Sequence, residues 1–304
     1  MENLWLIVSK PDNVPIVLML ILVGFFTWLA LYLGWKNDRY KAEHGDKADA
    51  LYPIEEKGLP QKVHVWPHLL KVEFLAAILV MVLLTIWSLT LMAPLEDPSN
   101  PAQTPNPSKA PWYFLGLQEM LVYFDPWIAG VLLPTFIVTG LMIIPYCDIN
   151  PKGNGYYTIR ERKYALSIFL FGLIVLWVPL IIVGTFLRGP GWILFLPWEF
   201  WDPHAVMYES NRDLSQLFGI DSDGLMGTLV GAGFLGAYFA VILGGGYGFL
   251  RARAPEFLAR LGLIRYVVLA VHFAFMMSLP IKMVMRLGFR IKYIMKIPAV
   301  NLNV

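Results

Sequence analysis

Long apolar stretches alternate with short polar ones along almost the whole chain. Five stretches run for about 20 residues or more with few charges: Val14 to Trp35, Phe74 to Met92, Trp127 to Tyr146, Tyr164 to Leu187 and Leu225 to Leu250. At 1.5 Å per residue, each covers the roughly 30 Å of a bilayer core as a helix. A sixth stretch, Tyr266 to Ile281, is shorter and carries His272 and Pro280 inside it, so it is expected either to cross, to re-enter or to lie in the interface. The pattern predicts an all-α integral membrane protein of about six transmembrane helices. Between the second and third stretches, Lys109 to Leu121 is amphipathic, aromatic and too short to span, which predicts an interfacial helix.

Basic residues separate the two sides. Short cytoplasmic loops retain Lys and Arg, and seven follow the first stretch (Lys36, Arg39, Lys41, Lys47, Lys57, Lys62, Lys71), four the third (Lys152, Arg160, Arg162, Lys163) and four the fifth (Arg251, Arg253, Arg260, Arg265). The intervening loops hold only Lys109 on one occasion and Arg188 and Arg212 on the other, beside six carboxylates from Glu199 to Asp223. The amino terminus is therefore expected outside, in a bacterial-type inner (cytoplasmic) membrane. The tail breaks the rule, because alternation puts Lys282, Arg286, Arg290, Lys292 and Lys296 outside. Either the last stretch does not cross, or Lys282 to Ile297 forms an amphipathic helix on the outer surface.

Composition narrows the function classes. Hydrophobic residues are 57% and charged residues 15% of 304, with a mean hydropathy of +0.58. That disfavours a disordered chain, a soluble globule and a nucleic-acid binder alike. The lone Cys147 excludes a disulfide framework, a CxxC pair and a cysteine-held cluster within this chain. The acidic start Met1-Glu2-Asn3-Leu4 does not read as a signal peptide, so the first stretch is expected to be a retained span.

Several features could carry chemistry. His272 is the only histidine inside an apolar run; one intramembrane histidine cannot hold two bis-histidine haems, so it reads as a packed, hydrogen-bonded residue before a ligand. Thr228, Ala232, Gly236, Ala240, Gly244 and Gly248 form a small-residue stripe, with Gly227 and Gly231 alongside, that suits close helix packing. Prolines 94, 98, 101, 105, 107 and 111 stiffen an outer connector. Arg188 to Trp192 and Leu196 to Pro203 form a second outer loop dense in turn formers and aromatics, able to cap a site or dock a partner. No metal site is expected.

Pro111-Trp112-Tyr113-Phe114, Gln118, Leu132-Leu133-Pro134 and Ile144-Pro145, followed by a basic loop and another span, resemble the carboxy-terminal half of cytochrome b, or subunit IV of the cytochrome b6f complex, over about Lys71 to Gly191. That family places a Pro-Glu-Trp-Tyr signature in an outer loop, the side to which the charge pattern assigns Trp112 and Tyr113. The resemblance implies a quinol oxidation site there, with b-type haems on a separate b6-like subunit. It also exposes a departure: Pro111 stands in the slot of the family's glutamate and Ala110 in that of its proline. A quinol still has to lose protons to a base within reach. Glu119, seven residues after Trp112 on the same helical face, is the expected surrogate acceptor, with Asp125 next. Tyr113 would donate to a quinone carbonyl, and Pro111, Trp112, Phe114 and Leu115 would wall the pocket.

The chain is thus divided into an extra amino-terminal transmembrane helix (1–35), a cytoplasmic connector (36–72), a subunit IV-like three-helix domain (73–191), an outer loop (192–224) and carboxy-terminal helices (225–304). The expected function is that of a membrane subunit of a quinol-oxidising cytochrome bc-type complex, active only in assembly. Its expected partners are a b6-like haem subunit, a Rieske iron–sulfur or cytochrome c subunit, and membrane lipids, in a dimeric complex. The quinone could be menaquinone. The rival reading is a structural anchor of another respiratory complex with a degenerate quinone pocket.

Overall fold

A computed structural model describes residues 2–45, 64–92, 98, 100–102, 104–149, 157–208 and 210–304. About half of the connector (46–63), with Lys47, Lys57 and Lys62, and also Lys152 and Pro94, lies outside the described residues. The elements are α1 (Glu2–Val8), α2 (Val14–His44), α3 (Val65–Thr90), α4 (Trp112–Met120), α5 (Ile128–Cys147), α6 (Lys163–Leu187), α7 (Leu225–Arg253), α8 (Pro255–Leu261), α9 (Leu263–Phe289) and a two-stranded hairpin of β1 (Lys296–Ile297) and β2 (Leu302–Asn303). Six of these, α2, α3, α5, α6, α7 and α9, are long and apolar enough to cross a membrane. The protein is an all-α multi-pass membrane protein.

The chain divides into two compact units, Met1–Thr104 with Lys152–Leu166, and Pro105–Pro151 with Ser167–Val304. In the first, residues 157–161 dock on the polar end of α2. Gly34 lets Tyr157 and Ile159 approach, Asn37 Nδ2 donates to the Tyr157 carbonyl (3.0 Å), and Lys41 pairs with Glu161 at 2.9 Å. The Asp38 carboxylate accepts the backbone N–H groups of Ile159 and Arg160 at 3.1 and 3.0 Å. Positions 34, 37, 38 and 41 share one helical face, which is why a single segment satisfies all four.

The second unit is held at both ends. One core joins Met120, Tyr123 and Phe124 to Ile128, Ala129 and Leu133 of α5, Leu176 and Leu180 of α6 and Leu279 of α9. A second, made by Leu258, Leu261, Tyr266 and Ala270, closes the α7–α8–α9 corner. Lipid tails are as apolar as leucine, so packing in the spans is driven by close fit and hydrogen bonds. His272 meets that need: Nδ1 lies 2.8 Å from the Val268 carbonyl, Nε2 lies 3.2 Å from Thr139 Oγ1, and its ring packs edge-on to Phe136. The Tyr266 hydroxyl donates to the Leu243 carbonyl (2.7 Å), satisfying an acceptor where Gly244-Gly245-Gly246 widens the turn of α7.

Two expectations need correction. First, Lys282 to Ile297 is not one amphipathic helix. Lys282 is buried inside α9, which runs to Phe289 and ends at Arg290 in a left-handed conformation (φ 58°). The tail then folds back beside 212–214, where Arg212 N–H donates to the Arg290 carbonyl (2.9 Å) and Leu214 N–H to the Tyr293 carbonyl (2.8 Å). Its cations are matched locally: Lys296 pairs with Asp213 (2.6 Å) and Asp223 (3.4 Å), and Lys282 Nζ donates to the Lys292 carbonyl (2.6 Å). Burial works against the charged form of Lys296, but Asp213 and Asp223 outweigh it and raise its pKa.

Second, the stripe at Gly236, Gly244 and Gly248 meets nothing within 4 Å. The close approaches fall instead on Gly227, Gly231 and Gly246: a Cβ on Gly231 would lie 2.6 Å from the Met295 side chain and close against the Ile294 carbonyl, and one on Gly246 would lie 2.8 Å from the Tyr266 hydroxyl. The small residues of α7 therefore admit a loop and the tail at one end and the Tyr266 side chain of α9 at the other. Gly231→Val should push the tail off α7 at a cost of about 1–3 kcal/mol, read as a lower melting temperature in detergent and faster proteolytic release of the tail. Gly236→Ala should leave both unchanged.

Candidate functional site

α4 starts where it does because Pro111, at φ −52° and ψ 149°, lies outside the helical region. The Pro111 carbonyl accepts the Phe114 N–H at 2.8 Å. Gln118 folds back over this start: its Oε1 accepts the Ala110 N–H and its Nε2 donates to the Ser108 carbonyl, both at 2.8 Å. A helix of nine residues is marginal alone, so its orientation comes from packing. Leu115, Gly116, Glu119 and Met120 form its buried face. Gly116 faces Trp177, and Gly184 of α6 admits Leu115.

Glu119 is fully buried. Arg188, at the end of α6, holds it with a two-pronged fork: Nη2 to Oε1 at 2.6 Å and Nε to Oε2 at 2.9 Å. The Tyr123 hydroxyl donates to the same Oε1 at 3.1 Å. The third guanidinium nitrogen, Nη1, donates to the Trp192 carbonyl at 2.9 Å. That carbonyl is aimed by a tight turn in which Gly191 (φ 65°) and Trp192 (φ 58°) are both left-handed, a conformation that Trp adopts only at some cost. Gly191 N–H is fixed by Asn106 Oδ1 at 2.6 Å, and the turn is closed by Phe195 N–H donating to the Leu187 carbonyl at 2.9 Å. The turn at 189–195 therefore holds Arg188, and Arg188 holds Glu119.

The predicted residues separate into two groups. Glu119 and Leu115 are interior. Pro111, Trp112, Tyr113 and Phe114 form an exposed aromatic first turn, with Trp112 and Tyr113 edge-on at 5.6 Å and Tyr113 and Phe114 at 4.7 Å. The Tyr113 hydroxyl has no partner among the described residues. Lys109 reaches back to the Thr185 carbonyl (2.9 Å) and lies over the Trp201 ring at 4.9 Å. The Thr185 hydroxyl is buried and unbonded among the described residues. Asp125 has both carboxylate oxygens in use, one accepting the Trp127 N–H and the other the Asn303 side-chain amide, each at 3.1 Å.

Arg188 and Tyr123 were not singled out as site residues in the sequence. A signal existed: Arg188 is a cation at the very end of an apolar run, and Glu119 an anion within another short apolar segment, each unlikely to be buried without the other. Burial pushes the Tyr123 pKa from 10.0 up to about 12, with the Glu119 charge adding to the rise and Arg188 opposing it.

Residues 98–197 match a family described as Cytochrome b(C-terminal)/b6/petD. The match spans Trp112, Glu119, Tyr123 and Arg188, and about a third of the chain. It confirms the resemblance carried by the Trp112-Tyr113 segment. No solved structure matches.

Glu119→Ala leaves a buried guanidinium unpaired and should cost about 3–5 kcal/mol in detergent unfolding, while replacing both partners with Met should cost far less. Tyr123 keeps its proton in the folded protein where an unfolded tyrosine has lost it. Its contribution is therefore full below pH 10 and is lost as pH rises toward about 12. Tyr123→Phe should remove that part of the alkaline loss of stability, followed by melting temperature against pH.

Proposed function

Taking the match of residues 98–197 to the cytochrome b carboxy-terminal family as premise, we propose that the chain is a membrane subunit of a cytochrome bc/b6f-type oxidoreductase complex and contributes its outer-side quinol oxidation site. In this reading residues 73–191 are the subunit IV-like part, with one span added before it and two after. The loops joined by Arg188 face outside, as does the amino terminus. The observation that carries the proposal is the aromatic turn Trp112-Tyr113-Phe114, held in place by the buried Glu119–Arg188 pair.

The residues present suit a quinol. The exposed rings offer apolar faces to its head, and the unpartnered Tyr113 hydroxyl can donate to a carbonyl oxygen or accept from a hydroxyl. The buried, unbonded Thr185 hydroxyl adds a second polar atom one turn before Arg188. Haem suits this chain poorly: both ring nitrogens of His272 are engaged. The b haems are therefore assigned to a b6-like partner, and the electrons pass to it and to a Rieske or cytochrome c subunit.

Glu119 is the proposed proton acceptor, under a condition set by its geometry. Both its oxygens are bonded to Arg188, so it takes a proton only when one prong of the fork opens. The Tyr123 hydroxyl on Oε1 offers a bond that persists through that opening. Glu119→Gln, which keeps one bond from Arg188, should slow quinol oxidation about 10²-fold while the complex still copurifies with its haem-bearing subunit. The reduced-minus-oxidised spectrum and mass spectrometry of the purified assembly check both. Wild-type turnover removes Glu119 as acceptor, and a haem-free chain without a b6-like partner favours a structural anchor over the whole reading.

A further inference from the structure

A separate cavity of about 350 Å³ lies in the first unit, lined by Trp35, Asp38, Arg39, Ala42 and Arg160. Its depth follows from the sequence. The apolar run of α2 begins at Val14 and ends at Trp35, about 33 Å at 1.5 Å per residue, which is one bilayer core. Trp35 therefore sits at the boundary where tryptophan is enriched, and Arg39, one turn further, and Arg160 sit at the level of the lipid headgroups.

The cavity is charged in one sense where a ligand would see it. The Asp38 carboxylate, nearly buried, is turned to the Ile159 and Arg160 N–H groups, so its charge is already used in holding the 157–161 segment on the helix. Arg39 pairs with Glu43 through Nε at 2.9 Å, and among the described residues its terminal nitrogens have no acceptor. The Arg160 guanidinium has no partner among the described residues. The Trp35 ring supplies an apolar wall on the membrane side. Two guanidinium groups, one without a protein acceptor, in a cavity of this size at headgroup depth suit a phosphodiester whose acyl chains run down the side of α2.

We infer that this cavity, formed by the polar end of α2 and the 157–161 segment, is a binding site for the phosphate headgroup of an anionic phospholipid. The lipid would bridge the two elements, its phosphate taking bonds from Arg160 and Arg39 and its glycerol lying against Trp35. The site is independent of the quinol-site residues and would hold whatever their role proves to be.

Native mass spectrometry of the full chain in mild detergent, with added phosphatidylglycerol, phosphatidylcholine or inorganic phosphate, tests the inference. The wild-type chain should retain one phosphatidylglycerol in preference to phosphatidylcholine, and Arg160→Gln with Arg39→Gln should weaken retention about tenfold. Arg160→Lys should restore part of it. Equal retention of the two lipids, or retention unchanged in the glutamine variants, overturns the inference. Displacement of the lipid by equimolar inorganic phosphate assigns the cavity to a free anion and overturns the lipid assignment. Should the variants fail to fold, the wild-type melting temperature decides: a rise with phosphatidylglycerol but not with phosphatidylcholine or phosphate supports the site, and equal shifts overturn it.

Discussion

One end of the second unit depends on one desolvated ion pair, Glu119 with Arg188. Burying a carboxylate and a guanidinium costs several kcal/mol per ion, and Glu119 and Arg188 offset it through geometry. Their fork is bidentate, Tyr123 adds a bond to one carboxylate oxygen and Trp192 takes the spare guanidinium nitrogen. The two partners come from segments 69 residues apart, a helix too short to stand alone and a turn with two left-handed residues. Neither would hold its shape separately. The pair makes each the support of the other, and the aromatic turn at the start of α4 inherits its orientation from that bond.

Elsewhere in the unit the same economy of polar contacts recurs at membrane depth. Tyr238 donates to the Ala274 carbonyl, Tyr266 to the Leu243 carbonyl, and His272 meets Thr139, each linking α9 to a neighbour. In water such bonds would add little beyond the burial of apolar area. In lipid, where apolar contact gives no preference for protein over acyl chain, they and the glycine approaches decide which helix lies against which.

The spans were legible because length and hydropathy act locally, residue by residue. The five longer stretches correspond to helices with most ends within a turn, although α2 runs on past Trp35 to His44 and α3 begins at Val65 rather than Phe74, and α9 extends the uncertain sixth stretch at both ends, carrying Pro280 inside it. The packed histidine was legible as well, since a lone His272 in an apolar run has few other ways to satisfy two nitrogens. What was hidden depended on residues far apart. Nothing near Glu119 in the sequence announces Arg188, nothing in α7 announces that Gly231 rather than Gly236 faces the tail, and the tail's charges make sense only beside Asp213 and Asp223. The interfacial helix was expected over Lys109 to Leu121 and runs from Trp112 to Met120, starting only after Pro111 and ending where the chain turns toward α5.

Asn303 is hydrogen-bonded to Asp125 across 178 positions of sequence, and Leu302 and Val304 pack against the core that Met120 and Tyr123 share with α5. A ribosome makes Asp125 long before it makes Asn303. The helices before α9 can enter the membrane one after another using contacts already synthesised, but the start of α5 waits for the tail to come back to it. This end of the unit is thus completed only after Asn303 has been made. A partner subunit that recognised that end would meet its complete surface only once residues 302–304 were in place against it.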